Sequence, residues 1–157
     1  MDYHKIYTNA FSDNNYSKEH HVQYDWVIEL LKKKYSMQDK FTLIDIGSGR
    51  GHMLKLIHNN FPNAVITSVD LDNFHNLDFL EHIEEKYIDD ILTTFHDLSP
   101  YCIIAVANHS DIQNGIQLHL IQNNNYWWTS KLNGKFNITH YRDNGENSLY
   151  MYEVNSK

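Results

Sequence analysis

An α/β fold with a mostly parallel sheet and a closing antiparallel hairpin is what this sequence predicts, on three observations. Two apolar runs, Phe41 to Ile46 and Ala64 to Val69, flank a helical pattern, which makes a βαβ unit with parallel strands and a right-handed crossover. Three glycines, Gly47, Gly49 and Gly51, stand between the first run and that helix. The C-terminal end reads as two strands joined through Asp143 to Asn147, where Asn144-Gly145 is a strong hairpin signal.

Each element follows from its own pattern. Residues 1 to 16 are polar and aromatic without periodicity and read as an N-terminal arm. From Ser17, a suitable N-cap, Val22, Trp26, Val27, Leu30 and Leu31 recur at helical spacing, which gives a flanking or lid helix over 17–36. Phe41 to Ile46 stops at the glycines, and Met53, Leu54, Ile57 and Phe61 carry the next helix, which Pro62 closes. Ala64 to Val69 is rich in β-branched residues and ends at Asp70. Leu80, Ile83, Tyr87, Ile88, Ile91, Leu92 and Phe95 form one long apolar stripe with Glu81, Glu84, Glu85, Asp89 and Asp90 off it, which predicts a single amphipathic helix with a solvated acidic face. Tyr101 to Ala107 is nearly continuously apolar and reads as a buried parallel strand. Asn125 to Leu132 reads as a short helix around Trp127 and Trp128, and Lys135 to Arg142 and Ser148 to Val154 are the closing strands. The 157 residues are read as one domain, 1–157.

Composition narrows the function. Apolar residues at 41% and charged residues at 21% suit a soluble globular protein. With 13 Lys and Arg against 20 Asp and Glu, the formal charge of -7 argues against a long nucleic acid as partner, since duplex binding takes several basic contacts; Lys32-Lys33-Lys34 reads as the solvated end of a helix. The single cysteine, Cys102, sits in an apolar run and reads as a buried, inert thiol. No membrane-spanning run and no signal-peptide pattern is read, so the expectation is cytoplasmic.

A strand that ends in glycines and opens a helix sets backbone N–H groups and the positive helix end against a ligand. The spacing here is Gly-x-Gly-x-Gly, whereas the dinucleotide fingerprint wants its third glycine one position later, where His52 stands. Asp45, two residues before Gly47, suits an ammonium group such as that on the amino-acid half of S-adenosylmethionine (SAM). Asp70 can accept hydrogen bonds from two ribose hydroxyls, and Leu71 offers an apolar surface to adenine. Ser48 completes the cofactor-binding set of Asp45, Gly47, Ser48, Gly49, Gly51, Asp70 and Leu71.

On Asp45, Gly47, Gly49, Gly51 and Asp70, the sequence resembles the class I SAM-dependent methyltransferases, with their acid-x-Gly-x-Gly-x-Gly loop and second-strand acid. Phe79-Leu80-Glu81-His82-Ile83 is similar to the segment that opens the helix after the family's fourth strand, and the Trp127-Trp128 helix and final hairpin extend the resemblance over roughly residues 17 to 154. Gln117 to Ile121 followed by Tyr126-Trp127-Trp128 looks like a small phage and bacterial subgroup. The resemblance implies a Rossmann-like fold, SAM as cofactor, and methyl transfer to a small-molecule or surface acceptor.

One part of the family pattern is shortened. Only Leu71 to Phe79 separate Asp70 from the Leu-Glu-His-Ile segment, too few for a third strand, its helix and an ordinary fourth strand. The family order 3-2-1-4-5-7-6 is therefore expected to reduce to 2-1-5-7-6, with Tyr101 to Ala107 beside the first strand. A truncated sheet also makes a homodimer an expectation. The rival reading is a non-catalytic binding or assembly protein that kept the glycine loop after losing part of the cofactor site.

In-line methyl transfer needs alignment and, for an oxygen nucleophile, a general base. The catalytic candidates are His82, by its match to the family segment; His109, just past the strand end at Ala107; and His119, by its alternation with Leu118 and Leu120. Asp78, Asp111, His20 and His21 are further polar groups for the same edge. No His-x-x-x-His and no Cys/His cluster is present, so no metal site is expected.

Overall fold

The computed structural model describes residues 22–48, 51–70, 79–113, 115–145 and 149–157. The N-terminal arm, Ser17, His20, His21, Gly49, Leu71 and Asp78 lie outside the described residues, as does the rest of the shortened segment 71–78. The chain divides into two units, between Leu77 and Asp78. Among the described residues, no helix is long and apolar enough to cross a membrane.

The first unit holds α1 (Val22–Lys34), β1 (Thr42–Ile46), α2 (His52–Asn60) and β2 (Val65–Val69). Tyr24, Ile28 and Leu31 lie one helical turn apart and are buried together with Trp26 and Leu30, a broad apolar stripe that packs α1 on α2. The three lysines of its last turn are exposed and complement the negative helix end. Helix α2 ends where the N–H of Phe61 donates to Ile57 at 2.7 Å, with Pro62 next in the chain. Phe61 meets Phe41 edge-on, and Phe41 stacks on Tyr35 with centroids 4.0 Å apart, so the connections into and out of the βαβ unit are pinned by aromatic contacts. β1 and β2 pair in parallel, with Asp45 opposite Ser68 and Ile46 opposite Val69, as the sequence predicts.

The second unit begins with two 3₁₀ turns, Leu80–His82 and Glu85–Tyr87, followed by α3 (Ile88–Leu98), β3 (Tyr101–Ala107), β4 (Ile112–Gln113), β5 (Ile116–Gln117), α4 (Asn125–Asn133), β6 (Phe136–Asn144) and β7 (Leu149–Ser156). Its core gathers Leu92, Val106, Trp128, Leu132, Phe136 and Tyr152, all fully buried. α4 is started by Asn124, whose side chain accepts the Trp127 N–H at 3.1 Å. Cys102 is half-buried, and burial pushes its thiol up to about 11, so it stays protonated and inert.

Three sequence expectations are corrected here. The single helix from Leu80 to Phe95 is broken: Ile83 and Glu84 are extended, and regular α-helix starts only at Ile88. The cause is tertiary, because Glu81, expected on the solvated face, is fully buried and its Oε1 accepts the Ala107 N–H at 3.1 Å. The expected parallel strand Tyr101 to Ala107 pairs antiparallel with β7, since continuous apolarity marks burial on both faces but not the direction of the neighbour. The single, mostly parallel sheet is instead described as separate ladders, β1-β2 parallel and β3-β7-β6 antiparallel, with a small β4-β5 hairpin that is not among the predicted elements. The order β3-β7-β6 keeps the expected 5-7-6 succession and the closing hairpin.

Candidate functional site

In the first unit the loop after β1 is built for close approach. Gly47 (φ 77°) and Gly51 (φ 72°) are both left-handed, a conformation that glycine adopts without strain. The Gly47 N–H donates to Val69 at 2.9 Å, which extends the parallel ladder to the edge where Asp70 stands, and the Gly51 N–H turns back onto Ser48 at 2.9 Å before α2 begins. Ser48 is nearly buried, and its hydroxyl is 2.5 Å from that of Ser68 on β2. The glycine loop, Asp45 on β1 and Asp70 after β2 therefore share one unit and one strand edge.

Asp45 is the unusual group in this loop. Its Oδ2 is buried and makes no hydrogen bond among the described residues. Burial first, and then the negative charge of Asp70, raise its carboxyl from the ordinary 3.8 to about 6. A buried acceptor without a donor among the described residues, beside a second acid, has the chemistry to take a positively charged hydrogen-bond donor.

The second unit brings together all three histidines read as catalytic candidates. The His82 and His119 rings meet edge-on with centroids 4.7 Å apart, and His109 stacks on the other side of His119, also at 4.7 Å. The 3₁₀ turn supplies His82, the end of β3 leads to His109, and the segment after β5 supplies His119. Each inner ring is oriented by a backbone carbonyl: His82 Nδ1–H donates to Leu118 at 3.1 Å and His119 Nδ1–H to His109 at 2.7 Å. Both tautomers thus place the ring lone pair on Nε2. Asp111 Oδ2 lies 4.0 Å from His119 Nε2.

Burial disfavours the charged forms of His82 and His119. Burial, followed by the charge of His119, pushes His82 down to about 4, against the pull of the Leu118 carbonyl and Asp111. Burial also lowers His119, in spite of its bond to the His109 carbonyl. Rings this hard to protonate are lone-pair donors near neutral pH.

Glu81 is the member that sequence reasoning missed. One donor atom each from Glu81, His82 and His119 lie within 4.8 Å of one another, a metal-capable set where no metal spacing was read. The only local signal was Glu81-His82 itself, adjacent residues whose convergence on His119 depends on the fold. Trp128 belongs to the core, and Trp127 packs against it with ring centroids 4.8 Å apart.

No family model matches the chain, and no curated protein matches it in sequence. Among solved structures it is similar to the PH0226 protein from Pyrococcus horikoshii OT3, with a TM-score of 0.59 and 13% identity over 96% of this chain and 99% of that one. It is also similar to a SAM-dependent methyltransferase from Aquifex aeolicus, with a TM-score of 0.51 and 12% identity over 98% of each chain. A third similarity, to OxaC, has a TM-score of 0.53 and 10% identity over 83% of this chain and 47% of that one. At these identities what is shared is architecture, and the chain has the α/β fold of that Aquifex methyltransferase.

Proposed function

We propose that this protein is a SAM-dependent methyltransferase whose cofactor lies on the loop after β1, with Asp45 and Gly47 to Gly51 on the methionine side and Asp70 on the ribose. The observation that carries this reading is Asp45, a buried carboxylate oxygen that makes no hydrogen bond among the described residues and is further burdened by the charge of Asp70. The ammonium of SAM would bring this oxygen a charge-assisted hydrogen-bond donor. A glycine loop kept for packing alone would gain nothing from burying Asp45 beside the charge of Asp70, which counts against the non-catalytic rival.

SAM, when bound, supplies an electrophilic methyl group on a sulfonium, so the chain has to hold and align it. Left-handed Gly47 and Gly51 let the backbone approach the ligand, and Asp70 offers its carboxylate to the ribose hydroxyls. The shared fold with the Aquifex enzyme supports the same reading. The net charge of -7 favours a small-molecule acceptor over a polynucleotide.

Calorimetric titration with SAM and with its demethylated product tests the proposal. Binding is expected for the parent chain and at least ~10-fold weaker binding for Asp45→Asn, in line with loss of a charge-assisted hydrogen bond. Absence of heat and of any thermal shift at millimolar ligand overturns it. Mass spectrometry of acceptor mixtures then separates methyl transfer from mere binding.

A further inference from the structure

We propose that Glu81, His82 and His119 form a binding site for one divalent transition-metal ion of the zinc type. The three donors come from the first 3₁₀ turn and from the segment after β5, and one ligand atom of each lies within 4.8 Å of the others. Glu81 is fully buried, His119 nearly so, and His82 half-buried, so the cluster is largely shielded from water and His82 is its most exposed member. Two imidazoles and one carboxylate, with a position left for water, is the donor set of many zinc sites and of other first-row divalent ions.

The surroundings fit that use. Metal-binding histidines ordinarily give their second ring N–H to a carbonyl or carboxylate, which fixes the tautomer and aims the lone pair. His82 does so to Leu118 and His119 to His109. Glu81 is held through Oε1 by the Ala107 N–H. Asp111, 4.0 Å from His119 Nε2, is placed to add a second acidic oxygen, and with Glu81 it carries the charge that a divalent cation brings to zero. Zinc–ligand bonds of ~2.0–2.1 Å set donor atoms about 3.3 Å apart, so the loaded cluster is tighter than the one described. Loading would cross-link the 3₁₀ turn to the β5 segment and stabilise the second unit by mass action.

The test uses the untagged full chain, stripped with a chelator and titrated with Zn²⁺, Co²⁺ and Mg²⁺. Expected are one Zn²⁺ per chain at micromolar concentration or below, a rise in Tm, visible d–d bands with Co²⁺, and no response to Mg²⁺, which wants oxygen ligands. Glu81→Gln and His82→Asn should each weaken Zn²⁺ binding ~100-fold with circular dichroism unchanged. His58→Ala, at an exposed histidine of the first unit, should leave it intact. If one ligand variant fails to fold, the other decides. No binding, equal response to Mg²⁺, or binding that survives both variants, meaning an adventitious ion on other histidines, overturns the proposal. SAM titration of the stripped chain is a separate readout, so failure here leaves the methyltransferase reading to its own test.

Discussion

Asp45 is held at about 6 by burial and then by the charge of Asp70, so in the folded chain it keeps its proton at pH values where the unfolded chain, near 3.8, has lost it. The stability this contributes is complete below pH 3.8 and is lost as pH rises through about 6. Asp45→Asn should therefore raise stability by up to about 3 kcal/mol at pH 7 and leave it nearly unchanged at pH 3.5, a contrast that urea melts at the two pH values will read. Under the proposed function the same substitution should also weaken SAM binding, so that Asp45 would trade stability for a ligand. In the parent chain, affinity for SAM should rise between pH 5 and pH 7 as Asp45 ionises, and that slope should vanish in the variant. Gly51 carries a second prediction at this scale. At φ 72°, with an added Cβ 3.3 Å from Leu54 Cδ1, Gly51→Ala should cost ~1–2 kcal/mol and lower the denaturation midpoint.

Helix α4 depends on its N-cap, because Asn124 satisfies the Trp127 N–H and so positions Trp128 and Leu132 in the core. Asn124→Ala should cost about 1 kcal/mol, measured by chemical denaturation, with the fold retained. Elements whose signal is local were legible in the sequence: this helix, α2 before Pro62, the βαβ pair and the closing hairpin. The 80–98 region was not, because its apolar spacing is truly helical while the buried Glu81 carboxylate and the His82 bond to Leu118 hold the first turn apart from the rest. The β4-β5 hairpin was missed although Asn114-Gly115 carries the same signal used at Asn144-Gly145, and Gly115 is left-handed at φ 78°. The site divides in the same way. The glycine loop is contiguous and was readable, whereas Glu81, His82, His109 and His119 come together through tertiary packing, which periodicity does not encode.

At the scale of the whole molecule, a net charge of -7 leaves little for a polyphosphate to hold. Gel-shift titration with duplex DNA at ~0.15 M salt should show no complex at micromolar protein, since non-specific binding rests on counterion release by basic side chains. Strand burial in the second unit follows its order: β7, between β3 and β6, buries four successive residues from Leu149 to Tyr152, while β6 buries little beyond Phe136. Among the described residues β6 is therefore an outer strand, paired on one side by β7. A bulge breaks its register between Ile138 and His140, and His140, Arg142 and Asp143 stand exposed along it. Bent and charged, this border is a poor template for a strand from another chain, so the β6-β7 hairpin is guarded against the edge-to-edge growth that leads to fibrils.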